Sequence, residues 1–348
     1  MDIRIGDLID CIDKYILIDV RSEKEYNEGT IRDAINLSIL DNEARHIVGS
    51  LYKQNKDLAY ETGFKYGLEQ LPIIYKEIKK LIRMNPSKEI VVFCARGGSR
   101  SSSVVDVLKL MNVNCYKLVG GYKEYRNYLL NNINNYIEKL NFLVISGNTG
   151  SGKTIVLNEL AKKLPVIDLE DCANHRGSIF GEIGLKVNSQ KKFEDKLFFL
   201  LKDFVVDNKR YVFIESESRK IGSVSLPNVL YKKILISPHI LLDVSLEKRI
   251  EILSNVYRPE DIEVDKVKKI IENNKYFKLN MGDEWTRKMM KLLNESNFND
   301  FIKYMVMDYY DVLYLKSQKK YDYDMIIKSD RLEIVVEKIS DYYKKINV

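Results

Sequence analysis

The segment NFLVISGNTGSGKTIVLNEL (141–160) places an apolar run, a glycine-rich loop and a helical pattern in direct succession. Its loop has the pattern G-x-x-x-x-G-K-[ST], and the strand before it and the helix after it are the context that a phosphate-binding P-loop requires. Glycines there let backbone amides surround a diphosphate, the Lys153 ammonium adds positive charge, and the Thr154 hydroxyl can hold Mg²⁺. We therefore predict a phosphate-binding α/β fold with the binding residues Gly147, Gly150, Ser151, Gly152, Lys153 and Thr154.

Short apolar runs alternate with helical patterns on both sides of this loop, which is typical of parallel α/β sheets. At 348 residues the chain is long enough for two domains of about 150 residues each. We predict one α/β domain at 1–137, with a helical insertion at about 41–84, and a second at 138–348, helical from about 260. The boundary follows the polar, asparagine-rich stretch NNINNYIEK. The apolar runs are YILIDV (15–20), EIVVFC (89–94), CYKLVG (115–120), PVIDLE (165–170), YVFIES (211–216) and ILLDVS (240–245).

Composition excludes several classes of protein. Hydrophobic residues make up 45% and charged residues 30%, a balance typical of globular chains rather than disordered ones. The net charge of +6 is compatible with an anionic partner but does not require one. Four widely spaced cysteines without a C-x-x-C pair argue against disulfides and zinc, so we predict a reducing cytoplasm and no resident metal. The acidic start and short apolar runs predict neither a signal peptide nor a membrane span.

Cys94 lies where a predicted strand ends and a glycine-rich loop begins, in VVFCARGGSRSSSVVDVL (91–108). Loop amides, the positive end of the next helix and the guanidinium groups of Arg96 and Arg100 all favour the thiolate, which is the nucleophilic form of cysteine. Gly97 and Gly98 let the backbone curl around a bound anion or a group carried on the sulfur. We predict that Cys94, Arg96 and Arg100 are catalytic. For the other cysteines, Cys11, Cys115 and Cys172, we predict small buried apolar side chains.

Three segments resemble the markers of a rhodanese domain, in which a loop cysteine carries sulfur or selenium. They are DVRSEKEYNEGTIRDAINLSI (19–39), the Cys94 loop and LVGGY (118–122). One feature departs from many sulfurtransferases: Cys94 and Arg100 form a C-x5-R pattern, the spacing of rhodanese-like phosphatases. The spacing alone leaves phosphatase chemistry open.

Acidic residues at predicted strand ends can complete the P-loop site. Asp168 and Glu170 lie at the end of PVIDLE, and Glu215 and Glu217 follow YVFI, where P-loop folds place metal-water or general-base groups. Two further loops, NHRGSIFG (174–181) and ESRKIGSVSLP (217–227), each set an arginine near glycine and suggest anion binding. We predict binding roles for Asp168, Arg176, Glu215 and Arg219, while His175 fits a substrate-positioning role or a structural one equally well.

The whole chain resembles the tRNA 2-selenouridine synthase family. The resemblance is carried by CARGGSRS, GNTGSGKT, DLEDCANHRGSIFG, ESESRKIG (215–222), the insertion EARHIVGSLY and the pattern YYDxxY at 309–314. It implies conversion of wobble 2-thiouridine in tRNA to 2-selenouridine by way of S-geranyl-2-thiouridine. Geranyl diphosphate and selenophosphate are the implied donors, with the P-loop gripping the diphosphate and Cys94 handling selenium.

Two other functions fit the same residues. A C-x5-R phosphatase or a sulfurtransferase coupled to an ATP-binding P-loop is one, and a non-catalytic P-loop switch with a ligand-sensing rhodanese domain is the other. The P-loop does not decide between them, because amides and a lysine recognise phosphate and not the group attached to it. Geranyl diphosphate is therefore expected from the resemblance alone, and a need for Mg²⁺ and the oligomeric state are left open.

The most basic stretch of the second domain is a candidate surface for tRNA. Residues 265–291 hold eight Lys or Arg against four Asp or Glu, with aromatic residues between them. That composition suits phosphate contacts and base stacking, and it equally suits an amphipathic helical pair with a solvated basic face. The predicted RNA-facing residues are Lys266, Lys268, Lys269, Lys275, Tyr276 and Phe277.

Overall fold

The computed structural model describes residues 1–257, 263–313 and 321–347. The chain divides into two compact units, residues 1–133 and 134–348. This division falls within a long helix, Gly121–Lys139, a few residues before the boundary expected from the sequence. In the described ranges no helix is long and apolar enough to cross a membrane.

The first unit is built on a five-stranded sheet in the order β1-β5-β4-β2-β3, and every pair of neighbours in it is parallel. Its central strands are buried along almost their whole length, which explains why their sequences are continuous apolar runs. The elements are β1 (Asp2–Ile3), α1 (Ile5–Asp10), a 3-10 turn (Ile12–Lys14), β2 (Tyr15–Asp19), α2 (Glu23–Glu28), β3 (Ile35–Asn36), α3 (Asn42–Gln54), α4 (Lys56–Met84), β4 (Glu89–Phe93), α5 (Ser99–Leu110), β5 (Cys115–Leu118) and α6 (Gly121–Lys139).

The helices α3 and α4 lie in the stretch where the sequence predicts a helical insertion. The Asp41 side chain caps α3 by accepting from the Ala44 amide, and the Asn55 side chain caps α4 by accepting from the Leu58 amide. Both helices bury one face, and Ile74 and Ile78 of α4 join the sheet core.

The second unit is built on a five-stranded sheet in the order β12-β11-β6-β8-β7, also with parallel neighbours throughout. A two-stranded antiparallel ribbon, β9 with β10, accompanies it. The elements are β6 (Asn141–Gly147), α7 (Lys153–Ala161), β7 (Val166–Ile167), α8 (Leu169–Ala173), α9 (Gln190–Val206), β8 (Tyr211–Glu215), β9 (Lys220–Ile221), β10 (Val224–Ser225), α10 (Asn228–Ile236), β11 (His239–Asp243), α11 (Leu246–Val256), α12 (Val264–Asn273), a π-helical turn (Phe277–Met281), α13 (Gly282–Asn294), α14 (Phe298–Tyr304), a second π-helical turn (Met305–Tyr310), β12 (Tyr323–Lys328) and α15 (Leu332–Ile346).

The C-terminal part is not wholly helical, which corrects the prediction for residues after about 260. Strand β12 pairs in parallel with β11 and lies at the edge of the sheet. In its sequence, YDMIIK, only Ile327 is buried, and charged residues interrupt the apolar pattern. An edge strand with one buried face leaves a weaker apolar signal than the central strands do.

Helices α11 to α14 form a separate apolar cluster within the second unit. Its fully buried members include Phe277, Met289 and Val306, and Phe180 from the loop after α8 joins them. The cluster thus brings the α8–α9 loop beside the helical part that follows the sheet.

Two candidate anion-binding loops

Cys94 immediately follows β4, and only 3% of its surface is exposed. The Ser101 hydroxyl donates a hydrogen bond to its Sγ atom over 3.2 Å. Burial alone would raise the pKa of the thiol, but hydrogen bonds from Ser101 and the Arg96 amide, with the charge of Arg100, outweigh burial and lower the pKa. The lowered pKa favours the nucleophilic thiolate.

The two arginines of the Cys94 loop differ in their surroundings. Two guanidinium nitrogens of Arg100 donate to the Glu25 carboxylate over 2.6 and 3.2 Å, so its orientation is set by α2. Burial would raise the pKa of Glu25, but the bonded guanidinium outweighs burial and lowers it. Arg96 is exposed.

The LVGGY segment is hydrogen-bonded to the backbone of the Cys94 loop. The Tyr122 amide donates to the Cys94 carbonyl, and the Lys123 amide donates to the Ala95 carbonyl, each over 2.9 Å. Gly121 has a φ of 59°, and a Cβ atom there would collide with the Cys94 carbonyl and the Gly97 amide. Only glycine therefore fits at position 121.

The first marker segment meets this assembly through a buried ion pair. Arg21 and Asp19 lie 2.6 Å apart, and Arg21 also donates to the Gly29 carbonyl over 2.7 Å. The Arg21 guanidinium stacks over the Tyr122 ring at 4.0 Å from its centroid. The three marker segments predicted from the sequence thus form one packed structure around Cys94.

In the second unit the P-loop connects β6 to α7. Gly150 and Gly152 have φ values of 81° and 78°, which turn the backbone inward. The Lys153 ammonium donates to the Gly147 carbonyl over 3.0 Å, and the Thr154 hydroxyl donates to the Glu170 carboxylate over 3.1 Å. The loop therefore places its cation and its hydroxyl beside an acidic residue.

A buried arginine, which the sequence analysis did not select, supports the P-loop. Arg249 of α11 donates to the Thr149 carbonyl over 2.9 Å, and its guanidinium binds both oxygens of Asp311 at 2.6 and 3.0 Å. Asp311 is the acidic residue of the pattern YYDxxY, and Tyr314 of that pattern lies outside the described residues. A bidentate pair of this kind fixes geometry as well as charge.

Acidic side chains from two strand ends cluster beside the P-loop. Carboxylate oxygens of Glu170, Glu215 and Glu217 lie within 4.8 Å of one another. Burial and the neighbouring negative charges raise the pKa of Glu215 well above its usual value and that of Glu217 to about 8. Burial also raises the pKa of Asp168, whose carboxylate caps α8 by accepting from the Asp171 amide.

His175 joins the two arginine-containing loops. Its ring lies where Cβ atoms on Gly181 and Gly222 would be, at 2.5 and 2.6 Å from the nearest ring atoms. The Nδ1 atom accepts from the Gly177 amide over 3.1 Å, and burial lowers the pKa of the ring. His175 therefore packs between the two loops, which fits its predicted structural role, and the positioning role stays a prediction.

The arginines of these loops have different surroundings as well. Arg176 donates to the Ile183 carbonyl over 2.8 Å and stacks on the Tyr257 ring, so it shapes its own loop. Arg219 is exposed.

An apolar groove adjoins the P-loop and encloses about 540 Å³ when its solvent-open part is counted. Thr149 of the P-loop and Ser178 of the α8–α9 loop line it, and the Ser178 hydroxyl is hydrogen-bonded to the Tyr257 hydroxyl over 2.8 Å. Nearly all other lining side chains are aliphatic or aromatic. They are Phe180, Ile183, Leu253, Val267, Leu293, Phe298, Phe301, Ile302, Met305, Val306 and Tyr310.

The predicted RNA-facing aromatics belong to the core, so that part of the prediction is wrong. Phe277 is fully buried against Trp285 and Tyr309, and Tyr276 packs on Tyr309 at 5.3 Å. The aromatic rings of this stretch thus pack inward, while its lysines lie at the surface. Lys266, Lys269 and Lys275 are exposed and Lys268 is partly exposed.

Comparison with known proteins gives two family matches. Residues 6–128 match the rhodanese-like domain, and residues 140–277 match the tRNA 2-selenouridine synthase AAA domain. A relative from Marinobacter nauticus, named tRNA 2-selenouridine synthase, is 30% identical over 329 residues, which cover 86% of this chain and 87% of the relative. This chain belongs to the tRNA 2-selenouridine synthase family.

Two further members of the tRNA 2-selenouridine synthase family, from Nitrosomonas europaea and Nitrosomonas eutropha, are 34% and 36% identical. Their alignments cover 68% of this chain, and the chain spans 61% of the length of each relative. The solved N-terminal domain of a candidate ATP/GTP binding protein from Clostridium difficile 630 is 42% identical. The alignment covers 37% of this chain and 99% of that domain, with a TM-score of 0.35.

Membership of the tRNA 2-selenouridine synthase family confirms the predicted fold class, a rhodanese-like α/β domain followed by a P-loop α/β domain. Within each unit the structure brings the predicted site residues together at the end of a central strand. The roles assigned to individual residues remain predictions. The Cys94 loop holds Arg96, Gly97, Gly98 and Arg100, and the P-loop region holds Gly147, Gly150, Ser151, Gly152, Lys153, Thr154, Asp168, Arg176 and Glu215.

Several residues that shape the two loops of this tRNA 2-selenouridine synthase family member were not selected from the sequence. Ser101 follows Arg100 directly and had a local signal, because a hydroxyl one turn into the helix can reach the loop sulfur. Glu25 also had a local signal, the S-x-x-E capping box of α2. That box does not indicate that Glu25 pairs with Arg100. Arg249 had none, because only the folded chain shows its contact with Thr149.

Proposed function

We propose that this chain converts wobble 2-thiouridine in tRNA to 2-selenouridine by way of S-geranyl-2-thiouridine, using geranyl diphosphate and selenophosphate. Family membership supports a tRNA-modifying role, since the relatives are named tRNA 2-selenouridine synthase. The observation that carries the choice of geranyl diphosphate is the apolar groove beside the P-loop.

The groove suits an isoprenoid chain better than a nucleoside. A nucleobase and a ribose would bring several donors and acceptors into a space with few polar side chains, and buried polar groups without partners are costly. A hydrocarbon chain instead gains about 25 cal/mol for each Å² removed from water. With its diphosphate in the P-loop, geranyl diphosphate would extend its chain past Thr149 into this groove.

In the first half-reaction the sulfur of 2-thiouridine attacks C1 of geranyl diphosphate. The new S–C1 bond forms as the C1–O bond breaks, and diphosphate leaves with the bonding electron pair. P-loop amides and the Lys153 ammonium stabilise the charge that develops on the leaving group. No protein nucleophile is needed, which agrees with the side chains of this loop.

In the second half-reaction selenium replaces sulfur at C2 of the base. The C2–S bond breaks and geranylthiol leaves, which is a better leaving group than the original thiocarbonyl sulfur. The C2–Se bond forms as the selenium of selenophosphate attacks C2, and water then cleaves the P–Se bond, so that phosphate is released and selenium stays on C2 without a change of oxidation state. We assign this step to the Cys94 loop, where amides, Arg96 and Arg100 suit the oxyanion and the thiolate suits chalcogen transfer.

The tRNA partner requires a surface for single-stranded bases, and exposed aromatics lie on the insertion. Tyr52, Tyr60 and Phe64 are 48%, 53% and 65% exposed. The Lys56 ammonium lies over the Tyr52 ring, which itself meets the Tyr60 ring edge to face. Aromatic rings beside lysines suit stacking of unpaired bases with phosphate contact.

The P-loop ligand can be tested by direct competition. Geranyl diphosphate should bind more tightly than inorganic pyrophosphate, because its chain buries apolar surface, and ATP should bind no more tightly than pyrophosphate. Isothermal titration of the full chain with each compound measures this order. Displacement of geranyl diphosphate by ATP at a lower concentration would contradict the proposal.

One observation favours a second candidate, a C-x5-R phosphatase. The Ser101 hydroxyl and the lowered pKa of Cys94 fit attack on a phosphate ester as well as chalcogen transfer. Release of phosphate from aryl phosphates, lost in a Cys94→Ser variant and unaffected by selenophosphate, would favour this candidate instead.

A further inference from the structure

Glu25 of α2 lies between two arginines, and only one of them belongs to the Cys94 loop. Arg100 of that loop binds both carboxylate oxygens, and the Nε atom of Arg45, in α3 of the insertion, lies 3.4 Å from Oε2. Burial would raise the pKa of Glu25, but the two guanidinium groups outweigh burial and lower it. One ionised carboxylate therefore has two cationic partners.

The charges of these three side chains do not cancel. Arg100 and Glu25 alone would form a neutral pair, and an anion beside Cys94 would then be attracted only weakly by this arginine. Arg45 adds a second positive charge, which leaves the group of three with an excess of positive charge. The other arginine of the loop, Arg96, is exposed, so water and salt screen its charge more strongly.

A glycine within α3 leaves the space that the Arg45 side chain occupies. A Cβ atom on Gly49 would collide with a nitrogen of the Arg45 guanidinium. Glycine is among the least favourable residues within a helix, and the guanidinium gives a physical reason for one at this position. The Arg45 side chain thus lies along its own helix, over Gly49.

Other contacts hold the start of α3 against α2 and the sheet. The Lys24 amide of α2 donates to the Asn42 side chain over 2.9 Å, and Ala44, next to Arg45, is buried in the core. The Nε atom of Arg45 is buried too, and no described residue forms a hydrogen bond with it. The Glu25 carboxylate is therefore the charge that compensates this atom.

We propose that Arg45 is a positioning residue for the anion step at Cys94: by sharing Glu25 with Arg100, it keeps the loop positively charged toward a phosphate-like oxyanion bound beside the thiol. Arg45 acts through Glu25 and Arg100 rather than on the sulfur itself. This role rests on the proposed function, which places selenophosphate at the Cys94 loop. It gives the helical insertion a part in the chemistry of that loop.

The test measures how inorganic phosphate protects Cys94 of the full chain from alkylation by iodoacetamide at constant ionic strength. Mass spectrometry of the Cys94 peptide gives the extent of alkylation. Arg45→Gln should raise the phosphate concentration for half protection roughly fivefold, because the anion then meets a neutral pair. The matched control is Lys53→Gln, which removes one charge from an exposed position of the same helix and should leave protection unchanged.

A second change in the Arg45→Gln background separates charge from packing. Glu25→Gln keeps the capping box of α2, which accepts either residue, and removes the negative charge that neutralises Arg100. Protection in the double variant should recover to within about twofold of the wild type. A merely structural role of Arg45 does not predict this recovery.

Gly49→Ala displaces the guanidinium without changing any charge. Phosphate protection should weaken at least twofold, while the melting temperature should not fall, because alanine favours a helix more than glycine does. Gly63→Ala is the matched control in α4, where a Cβ atom would meet only Val48, at an ordinary contact distance. This comparison tests the role of Arg45 even if Arg45→Gln does not fold.

Equal protection in the wild type, Arg45→Gln and Gly49→Ala would overturn the role of Arg45, and so would a loss that Glu25→Gln fails to recover. Phosphate release from phenyl phosphate that depends on Cys94 would overturn the selenophosphate assignment and leave the role of Arg45 standing. If phosphate does not protect Cys94 even in the wild type, both are overturned.

Discussion

The Cys94 loop and the P-loop use the same backbone device for different chemistry. Each connects the end of a buried parallel strand to the start of a helix, and each turns its backbone with glycine at positive φ, Gly97 in the first loop and Gly150 and Gly152 in the second. The first begins with a cysteine whose thiol pKa is lowered, whereas the second offers an ammonium and a hydroxyl but no activated nucleophile. We expect backbone amides to bind an anion in both loops and the side chains to decide whether the protein itself reacts.

The supports of the two loops differ as well. Backbone amides of Tyr122 and Lys123 hold the Cys94 loop, while an ion pair between buried Arg249 and partly exposed Asp311 holds the P-loop. Backbone support tolerates most side-chain changes but not a change at Gly121. Support by an ion pair depends on both charged partners, because losing Asp311 leaves the Arg249 guanidinium buried and without its carboxylate.

The strongest test of this division is Cys94→Ala. Selenium incorporation should be lost, because the loop loses the thiolate proposed to handle selenium, while geranylation should continue. Nucleoside analysis of tRNA from cells carrying the variant should show S-geranyl-2-thiouridine and no 2-selenouridine. Cys11→Ala serves as the control and should leave both products unchanged. A normal amount of 2-selenouridine in cells with Cys94→Ala would show that the Cys94 loop is not needed for selenium incorporation.

The reciprocal change is Lys153→Ala. Geranylation should slow by roughly 100- to 1,000-fold, because charge developing on the departing diphosphate loses a preorganised partner. The rate of S-geranyl-2-thiouridine formation at saturating tRNA measures this, and alkylation of Cys94 by iodoacetamide should be unaffected. Lys162→Ala, an exposed change just beyond the same helix, is the matched control. Near-normal geranylation would mean that the P-loop serves another ligand.

Ser101→Ala tests how the thiolate is favoured. Loss of the hydroxyl donor should raise the pKa of Cys94, so alkylation at pH 7 should slow by roughly tenfold. Because the thiolate forms as pH rises through the pKa, the rate-against-pH curve should move to higher pH. Ser103→Ala, on the exposed face of the same helix, should leave the curve in place. If the curve for Ser101→Ala does not move, the lowered pKa of Cys94 is due to the loop amides and Arg100 instead.

The smallest expected effect concerns which unit captures tRNA. Replacing Lys266, Lys268, Lys269 and Lys275 with alanine should flatten the salt dependence of tRNA affinity by roughly 3 units of log-log slope, if each lysine contacts one phosphate. Geranyl diphosphate binding should not change. A folded variant that keeps both its tRNA affinity and its salt slope would show that these lysines do not contact tRNA. The tRNA-binding surface would then lie on the insertion, where Tyr60→Ala and Phe64→Ala should each weaken tRNA binding about tenfold.

Local patterns made much of the molecule predictable. Continuous apolar runs identified the buried central strands, and both loops follow from a strand, a glycine-rich turn and a helix in direct succession. The signal is strong because all of its parts lie within a few residues of Cys94 or Lys153.

Features that depend on distant contacts were not predictable in the same way. Glu25 meets Arg100 and Arg249 meets Thr149 only after folding, and no spacing in the chain announces either pair. The mixture of lysines and aromatics around Phe277 has the composition of an RNA-binding surface, but composition does not state which helix face each residue occupies. Edge strand β12 was missed because half of its residues face solvent.

The position of His175 has a genetic consequence. A Cβ atom on Gly222 would meet His175 alone among its nearest neighbours, whereas one on Gly181 would also meet the Ser178 carbonyl. A suppressor screen that begins with Gly222→Ala should therefore return smaller residues at position 175, with some loss remaining because residue 222 has a φ of 55°. The same screen from Gly181→Ala should not, since no substitution at position 175 removes a backbone carbonyl. Two glycines that contact one ring thus differ in whether their loss can be suppressed.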